Sequence, residues 1–398
     1  MLHVLKFGGS SVATPEKIQS IALYLQKRVS QNQKLVVVVS AMGKTTDSLL
    51  ELANALSPSP STRELDQLLS TGEQVTISLL AIALENLGIK ACSLTGSQAR
   101  ICTEGPHTKS RIESIEETTL KAYLENLDVI VIAGFQGVNL QGDITTLGRG
   151  GSDTSAVALA AALGTHAEIY TDVNGVYRTD PRIFPEAQQI PEISYDEMME
   201  MSALGAKVME MRSVEMGKKY NVPIYVGKTL SKERGTWIMP ITENMEKKAV
   251  SAVTLNKEIL QVTVHGIPSS YKHIVKIFKI MGDYSVNIDM ITLSSNGDSH
   301  LTFTLPRNEE NAFLDATKIL QEDFPSLSFQ ISKNYAKLSV IGLGMRDTSG
   351  VTGKILSVLE NNEIPFYQIT TSEISISCTI PQEMGEIAVV QLCEYFHL

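Results

Sequence analysis

The sequence predicts an α/β protein in which a mostly parallel sheet is sandwiched by helices and followed by two small ferredoxin-like βαββαβ modules. Three observations predict it. Short β-branched runs alternate with helical patterns over the first 240 residues; one of those runs, Val36-Val37-Val38-Val39, has no polar alternation; and the last third of the chain repeats itself. Strand, helix, strand in succession means parallel strands joined by crossover helices, and a strand without alternation is one buried on both faces.

Six strands follow in order: Leu2 to Phe7, Leu35 to Ser40, Lys90 to Thr95, Val129 to Gly134, Ala167 to Thr171 and Pro223 to Val226. The first helix opens at Thr14-Pro15-Glu16, a capping residue with proline in the first helical position. Ser61-Thr62-Arg63-Glu64 reads as a capping box opening a long helix to about Leu87, and Thr71-Gly72-Glu73 interrupts it where a glycine costs about 1 kcal/mol relative to alanine, so a close approach is expected there.

Composition bounds the function. A chain of 398 residues, 43% hydrophobic, can bury two or three cores. Its net charge of −10 sets it against nucleic acid and anionic membrane surfaces as partners. Apolar runs such as Leu79 to Leu84 and Val129 to Ala133 are short for a membrane span, the N-terminus lacks a signal-peptide layout, and a cytoplasmic enzyme is expected. Cys92, Cys102, Cys378 and Cys393 have no ligand-like spacing and read as reduced core thiols.

The chemistry concentrates in two glycine turns. Thr145 to Ala156 (TTLGRGGSDTSA) sets three glycines, a cation, a hydroxyl and a carboxylate before an apolar helix from Ser155 to Leu163, whose positive dipole end suits an anion. Lys6-Phe7-Gly8-Gly9-Ser10-Ser11 closes the first strand. Neither turn is a P-loop or a GxGxxG dinucleotide turn, so phosphate must be held another way.

Taken together and in order, KFGGSSV at the start, SAMGKTTD at 40–47, TGE at 71–73, TTLGRGGSDTSA at 145–156 and TDVNGVYRTDPR at 171–182 resemble the aspartokinases, monofunctional and with C-terminal tandem ACT domains. The likeness covers essentially the whole chain. It implies the amino-acid-kinase fold over 1–240, a linker at 241–256 that lends a strand to the second module, and ACT domains at 257–332 and 333–398. It also implies ATP-dependent phosphorylation of the aspartate side chain to 4-phospho-L-aspartate, the first step toward lysine, threonine and methionine, with Mg²⁺ accompanying ATP.

If aspartate is the acceptor, its carboxylate, with a pKa near 3.9, is ionised at pH 7 and no general base is required. All seven histidines lie outside the motifs. An anion must instead attack a polyanion, so the site should supply cations and backbone donors. By resemblance Lys6 and Asp153 are catalytic, with Asp153 orienting Lys6 or the metal; a helix N-cap is the structural alternative for Asp153, and the roles can coexist. Phe7, Gly8, Gly9 and Lys207 belong by resemblance to the phosphate end, and Thr171, Asp172, Tyr177 and Arg182 to the base, ribose and phosphate edge. No metal ligand is fixed: Asp172 and Asp180 are both open as water-mediated contacts. A zwitterion with an extra carboxylate needs an anion for its ammonium, which Glu73 supplies, and donors for a carboxylate, which Arg149 and Ser152 supply; Thr46 completes the set by family position. Two competing readings are a catalytically silent amino-acid sensor and a kinase for another small acid such as N-acetylglutamate. Glu73 separates the latter, since an acylated nitrogen needs no anion.

Residues 266 to 292 align without gaps on 344 to 370: Lys276-Ile277-Phe278 falls on Lys354-Ile355-Leu356, Val286 on Ile364, and Ile291-Thr292 on Ile369-Thr370. The pair resembles tandem ACT modules, which implies an amino-acid effector, lysine or threonine or both, and a homo-oligomer joined through these modules. Asn287, Ile288 and Asp289 are the effector contacts by family position. Copy one departs from the pattern with Ser269-Ser270-Tyr271-Lys272 where a glycine turn is usual, and copy two with Pro365-Phe366, so modules that only dimerise the enzyme remain an alternative.

Overall fold

All six expected strands enter one eight-stranded sheet. Its order is Glu192–Ile193, Thr236–Ile238, Ile224–Lys228, Ala167–Thr171, Leu2–Phe7, Lys34–Val39, Val129–Ala133, Ala91–Leu94. Every pairing is parallel except that of Thr236–Ile238 with Ile224–Lys228. This computed structural model describes residues 1–240, 249–267, 271–294 and 300–398; the linker Glu243 to Lys248 and the turn residues Ser269-Ser270 lie outside them.

Alternation along each strand sorts side chains between two helical layers. Leu5, Phe7, Val37, Val39 and Val131 meet Ile21 and Leu25 of helix Pro15–Ser30 and Leu80 and Leu84 of helix Thr71–Asn86. Val4, Lys6, Val36 and Val38 take the opposite face, where helix Gly151–Leu163 lies against Leu2–Phe7. The four valines of Val36–Val39 are wholly buried, as a central strand with helices on both sides requires. Thr14 caps the first helix as expected, its hydroxyl accepting from Lys17 N with Pro15 next.

The long helix differs from expectation. Ser61 takes the cap position without a side-chain capping bond, and the helix divides at Ser70 into Thr62–Leu69 and Thr71–Asn86. Hydroxyl groups compete with the ladder there: Ser70 Oγ donates to Gln67 O and Thr71 Oγ1 to Leu68 O. Taken as one stretch, Thr62–Asn86 contains an 18-residue window with the length and mean hydropathy (1.2) of a membrane span, beyond what its separate apolar runs suggest, yet half of that window is buried and apolar residues of the stretch serve the core.

By contacts the chain forms two compact units: 1–176 with 189–202 and 207–245, and 177–188 with 203–206 and 246–398. A second sheet of the first unit, in the order Arg111–Ile115, Ile101–Glu104, Gln136–Val138, Ile144–Thr146, leads directly into the second glycine turn; the sequence reading contains no hint of it.

The second unit holds two four-stranded antiparallel sheets. In the first, Asp289–Ser294, His300–Pro306, Ile259–His265 and Ser328–Ser332 pair in that order, with helices Tyr271–Asp283 and Glu310–Asp323. In the second, Ala252–Asn256 pairs with Tyr335–Ile341, which is followed by Ser375–Pro381 and Ile369–Thr371, with helices Val351–Asn361 and Gly385–Phe396. The strand at 252–256 thus precedes the first module yet fills the outer place of the second. The repeat has a packing reason: Ile277 and Ile355, and Val286 and Ile364, are buried in equivalent places. Phe303, fully buried with its ring centroid 6.2 Å from that of Phe313, anchors the first module. Phe303→Ala is expected to cost about 3–5 kcal/mol, read as a lowered denaturant midpoint by circular dichroism.

Candidate active site

Parallel strands bring their C-terminal ends to one edge, and the loops leaving that edge build the cleft. It has a volume of about 280 Å³ and is lined by Lys6, Gly9, Thr46, Glu73, Arg149, Ser152 and Asp153, all of them expected, together with Ser40, Ala41, Gly43, Phe135, Gly148, Gly150 and Gly151. Lys6 and Arg149, separated by most of a domain in sequence, share one cavity.

Lys6 is the next-to-last residue of the first strand, on the face turned to helix Gly151–Leu163, and its Nζ lies 2.6 Å from Asp153 Oδ1, with both side chains nearly buried. Asp153 is the third residue of that helix, so it is not the N-cap; Gly150 holds that place in the left-handed conformation (φ 68°). A side chain at Gly150 would also collide with Glu210, its Cβ only 2.0 Å from Glu210 Cγ. The helix therefore begins at Gly151, earlier than the expected Ser155, with its amides and the Lys6 ammonium directed at the same edge.

Glu73 is buried at 2% exposure in the first turn of helix Thr71–Asn86. Its Oε1 accepts from Ala41 N at 3.0 Å, and its buried Oε2 has no partner among the described residues. Burial pushes the carboxyl up to about 7, against the opposing effect of the Ala41 amide. The neighbouring glycine now has its reason: a Cβ on Gly72 would stand 2.8 Å from Ala41 Cβ, so only glycine lets the helix approach the Ser40–Met42 loop closely enough for that hydrogen bond.

Other expected residues divide. Phe7 is a core residue stacked on Tyr170 at 5.2 Å, so its side chain is not available to a nucleotide. Gly8 N is taken by Tyr170 O at 3.1 Å, and Gly9 packs where a Cβ would stand 2.8 Å from Ala41 O. Thr171 ends the strand beside Leu2–Phe7, with its hydroxyl on Asp172, and both stand on the cleft's edge of the sheet outside the cavity lining. Thr229, which the sequence reading missed, ties that edge together: its hydroxyl is 2.6 Å from Ser11 Oγ and donates to Thr171 O. Lys207 is exposed, beyond the end of helix Tyr195–Ala203, and does not line the cavity. Tyr177 and Arg182 fall in the second unit, where Arg182 is paired with Asp180 at 2.6 Å.

Also in the second unit, Asn287 is engaged with Glu309 through its backbone N and Nδ2, each at 2.6 Å, and Ile288 packs against the first module's core. Asp289 pairs with the buried Lys337 of the second module, at a strand irregularity where Met290 has a φ of 50°.

Sequence reasoning passed over Ser40, Ala41 and Phe135 as individual contributors. The available signal was topological: each sits just after a parallel strand. Away from the cleft, on the opposite sheet face, His3 and His166 lie 3.1 Å and 3.2 Å from Glu168 Oε1, and Arg28 grips both carboxylate oxygens at 2.7 Å and 2.9 Å. Burial raises the Glu168 pKa, but Arg28, His166 and Tyr170 outweigh it and hold the carboxyl below the usual range. That carboxylate is saturated, and the cluster reads as structural.

Residues 1–228 match the model of the amino acid kinase family and residues 338–396 that of the ACT domain. Fold and cleft together define a kinase of the amino acid kinase family. The aspartokinase of Pseudomonas aeruginosa is 42% identical over 405 residues, covering 100% of this chain and 98% of its own, and that of Helicobacter pylori is 40% identical with 100% of both covered. Among solved structures, aspartokinase III of E. coli in complex with aspartate and ADP matches the fold with a TM-score of 0.83 over 100% of both chains at 23% identity. The aspartate kinase of Synechocystis is 39% identical, with 100% of this chain and 70% of that one covered and a TM-score of 0.56. The chain belongs to the aspartokinases.

Glu73 is expected to titrate well above the usual glutamate range: side-chain carboxyl ¹³C resonances followed against pH should show a midpoint near 7 that is absent in Glu73→Gln. No midpoint near 7 in the unaltered chain would reject the raised value.

Proposed function

We propose that the chain transfers the γ-phosphoryl group of ATP to the side-chain carboxylate of L-aspartate, giving 4-phospho-L-aspartate toward lysine, threonine and methionine in the cytoplasm. One observation carries the roles: Lys6 with Asp153, Arg149 with Ser152, and Glu73 line a single cleft. The acceptor is already an anion at pH 7, so proton removal is no part of the task. No histidine lines this cavity among the described residues. The barrier is charge against charge. Lys6 neutralises phosphate oxygens, Asp153 fixes the ammonium of Lys6, and the amides opening helix Gly151–Leu163 add fixed positive dipoles where charge develops. Lys207 serves as a second phosphate cation, and Gly8, Gly9, Thr171 and Asp172 serve the rest of the nucleotide.

Arg149 takes an aspartate carboxylate bidentately with Ser152 beside it, Thr46 completes the pocket, and Glu73 takes the ammonium. The unpartnered Oε2 of Glu73 supports a free amino group over an acylated one and so supports aspartate over N-acetylglutamate. The arriving ammonium would return Glu73 to its ionised form. The complete polar set argues against a silent sensor. Mg²⁺ enters with the nucleotide: the cavity's carboxylates are Glu73 and Asp153, and the latter already holds Lys6, so phosphate oxygens and water would provide most of its ligands. Bound there, the ion neutralises charge on the transferring phosphoryl group.

The two C-terminal modules bind an amino-acid effector, lysine or threonine or both, at Asn287, Ile288 and Asp289, and join subunits into a homo-oligomer. Aspartokinase III of E. coli has been solved with lysine and aspartate as well as with aspartate and ADP, which supports lysine. A cavity of about 510 Å³ at the Gly350 turn of the second module has Arg346 and Glu373 on its lining, paired with each other at 2.7 Å, and a zwitterion bound there would have to exchange that ion pair for its own two charges.

Lys6→Ala and Asp153→Ala are each expected to lower kcat at least about a hundred-fold with the circular dichroism spectrum unchanged, and near-normal turnover in either would reject its role. Arg149→Ala should chiefly raise KM for aspartate; an unchanged KM removes it from the substrate site. Calorimetric titration with lysine and with threonine should give binding that Asp289→Ala abolishes, whereas no heat from either ligand would leave the modules with assembly alone.

A further inference from the structure

Asp66 is a wholly buried carboxylate that takes no part in the chemistry above. It sits on helix Thr62–Leu69, seven residues before Glu73, and its partners lie on the far wall of the same unit. Thr108 N donates to both of its oxygens at 3.0 Å, Thr146 Oγ1 donates to Oδ1, and His107 Nδ1 is 2.6 Å from Oδ2. Thr146 ends the strand Ile144–Thr146 and stands three residues before Arg149. Thr108 is held at a φ of 67°, a conformation that a β-branched residue adopts only under constraint, and its carbonyl lies beneath Gly148, where an added Cβ would meet it at 3.1 Å.

The connection is closed from both sides. Ser110 N donates to Thr146 O at 3.0 Å, Arg212 donates to Leu147 O and Ser110 O at 2.7 Å and 2.8 Å, and Gln136 Nε2 donates to Ser70 O at 2.9 Å. The glycine turn carrying Arg149 is therefore fixed to the helix leading to Glu73, with Asp66 as the wholly buried carboxylate of that joint and Asp143, just before the same strand, adding a partly exposed link to Arg63 at 2.9 Å. Without it the Thr108 amide and Thr146 hydroxyl lose a charged acceptor in a site with no exposure, and the turn loses its tether.

We infer that Asp66 is a positioning residue that sets the separation between the carboxylate grip at Arg149 and the ammonium grip at Glu73, and so fixes the reach of the amino-acid substrate. This rests on the substrate roles given to Arg149 and Glu73. A substrate held at two ends is sensitive to the distance between its holders, and a misplacement of about 1 Å can cost as much as a hundred-fold.

The test is steady-state kinetics of the full chain. Asp66→Asn, which keeps the shape but removes the charge, should raise KM for aspartate about ten-fold or more while KM for ATP stays within about two-fold, as the loss of a hydrogen bond to a buried charge predicts. Thr146→Val, which removes the donated hydroxyl without altering the carboxylate, should shift the same constant in the same direction and stands in if Asp66→Asn does not fold. A merely structural Asp66 would lower the melting temperature or the active fraction with KM for aspartate unchanged, and that result in the folded variant overturns the inference. Arg149→Ala measured alongside separates the two failures. If it leaves KM for aspartate unchanged, the substrate site itself is misassigned; if it raises KM while Asp66→Asn and Thr146→Val do not, only the positioning role falls.

Discussion

The buried contact between Lys6 and Asp153 is the point on which the catalytic unit turns. An ammonium and a carboxylate taken out of water cost several kcal/mol each unless they are paired, and here they stand 2.6 Å apart, one from near a strand end and the other from the first turn of a helix. The strand supplies rigidity because it is central in the sheet, and the helix supplies a dipole that favours a negative residue at that position. On the proposed reading, a phosphate arriving at this pair finds a cation already placed by its contact with Asp153.

The amino-acid side of the cleft follows a different logic, in which the protein accepts a cost in its resting state. Glu73 is buried with one oxygen unpartnered, so its carboxyl is pushed up to about 7. A group in this condition is relieved by a cation that fits and by little else. Gly72 makes the burial possible, and the Ala41 amide fixes the carboxylate's orientation. Asp66 solves the complementary problem for the glycine turn: a segment chosen for close approach has little stiffness of its own, and a fully satisfied buried carboxylate supplies it.

In the second unit the chain order and the spatial order disagree. The strand Ala252–Asn256 precedes the first module and completes the sheet of the second, so the first module is an insertion between two parts of its neighbour. Contacts between the modules are specific: buried Lys337 takes Asp289, and Gln368 Nε2 donates to Met290 O at 2.6 Å and Thr302 O at 3.2 Å. A change at Asp289 therefore reaches the second module through one ion pair.

Much of this was legible in residue order. The six strands, the doubly covered sheet and the repeated module follow from patterns that are local in sequence, β-branched runs and glycine turns; the candidate set Lys6, Thr46, Glu73, Arg149, Ser152 and Asp153 came with the likeness of those turns to the aspartokinases, Thr46 by family position alone. What the residues could not express was distance. That Asp153 lies inside its helix and that, of the two partners open to it, Lys6 is the one it meets, that Phe7 faces the core, that Ser40, Ala41 and Phe135 join the cleft, and that Asp66 braces a turn eighty residues away depend on which face each strand presents and which loops share an edge. Local propensity decides whether a residue is in a strand or a helix; only the folded register of parallel strands, whose neighbours come from remote parts of the chain, decides what that residue touches.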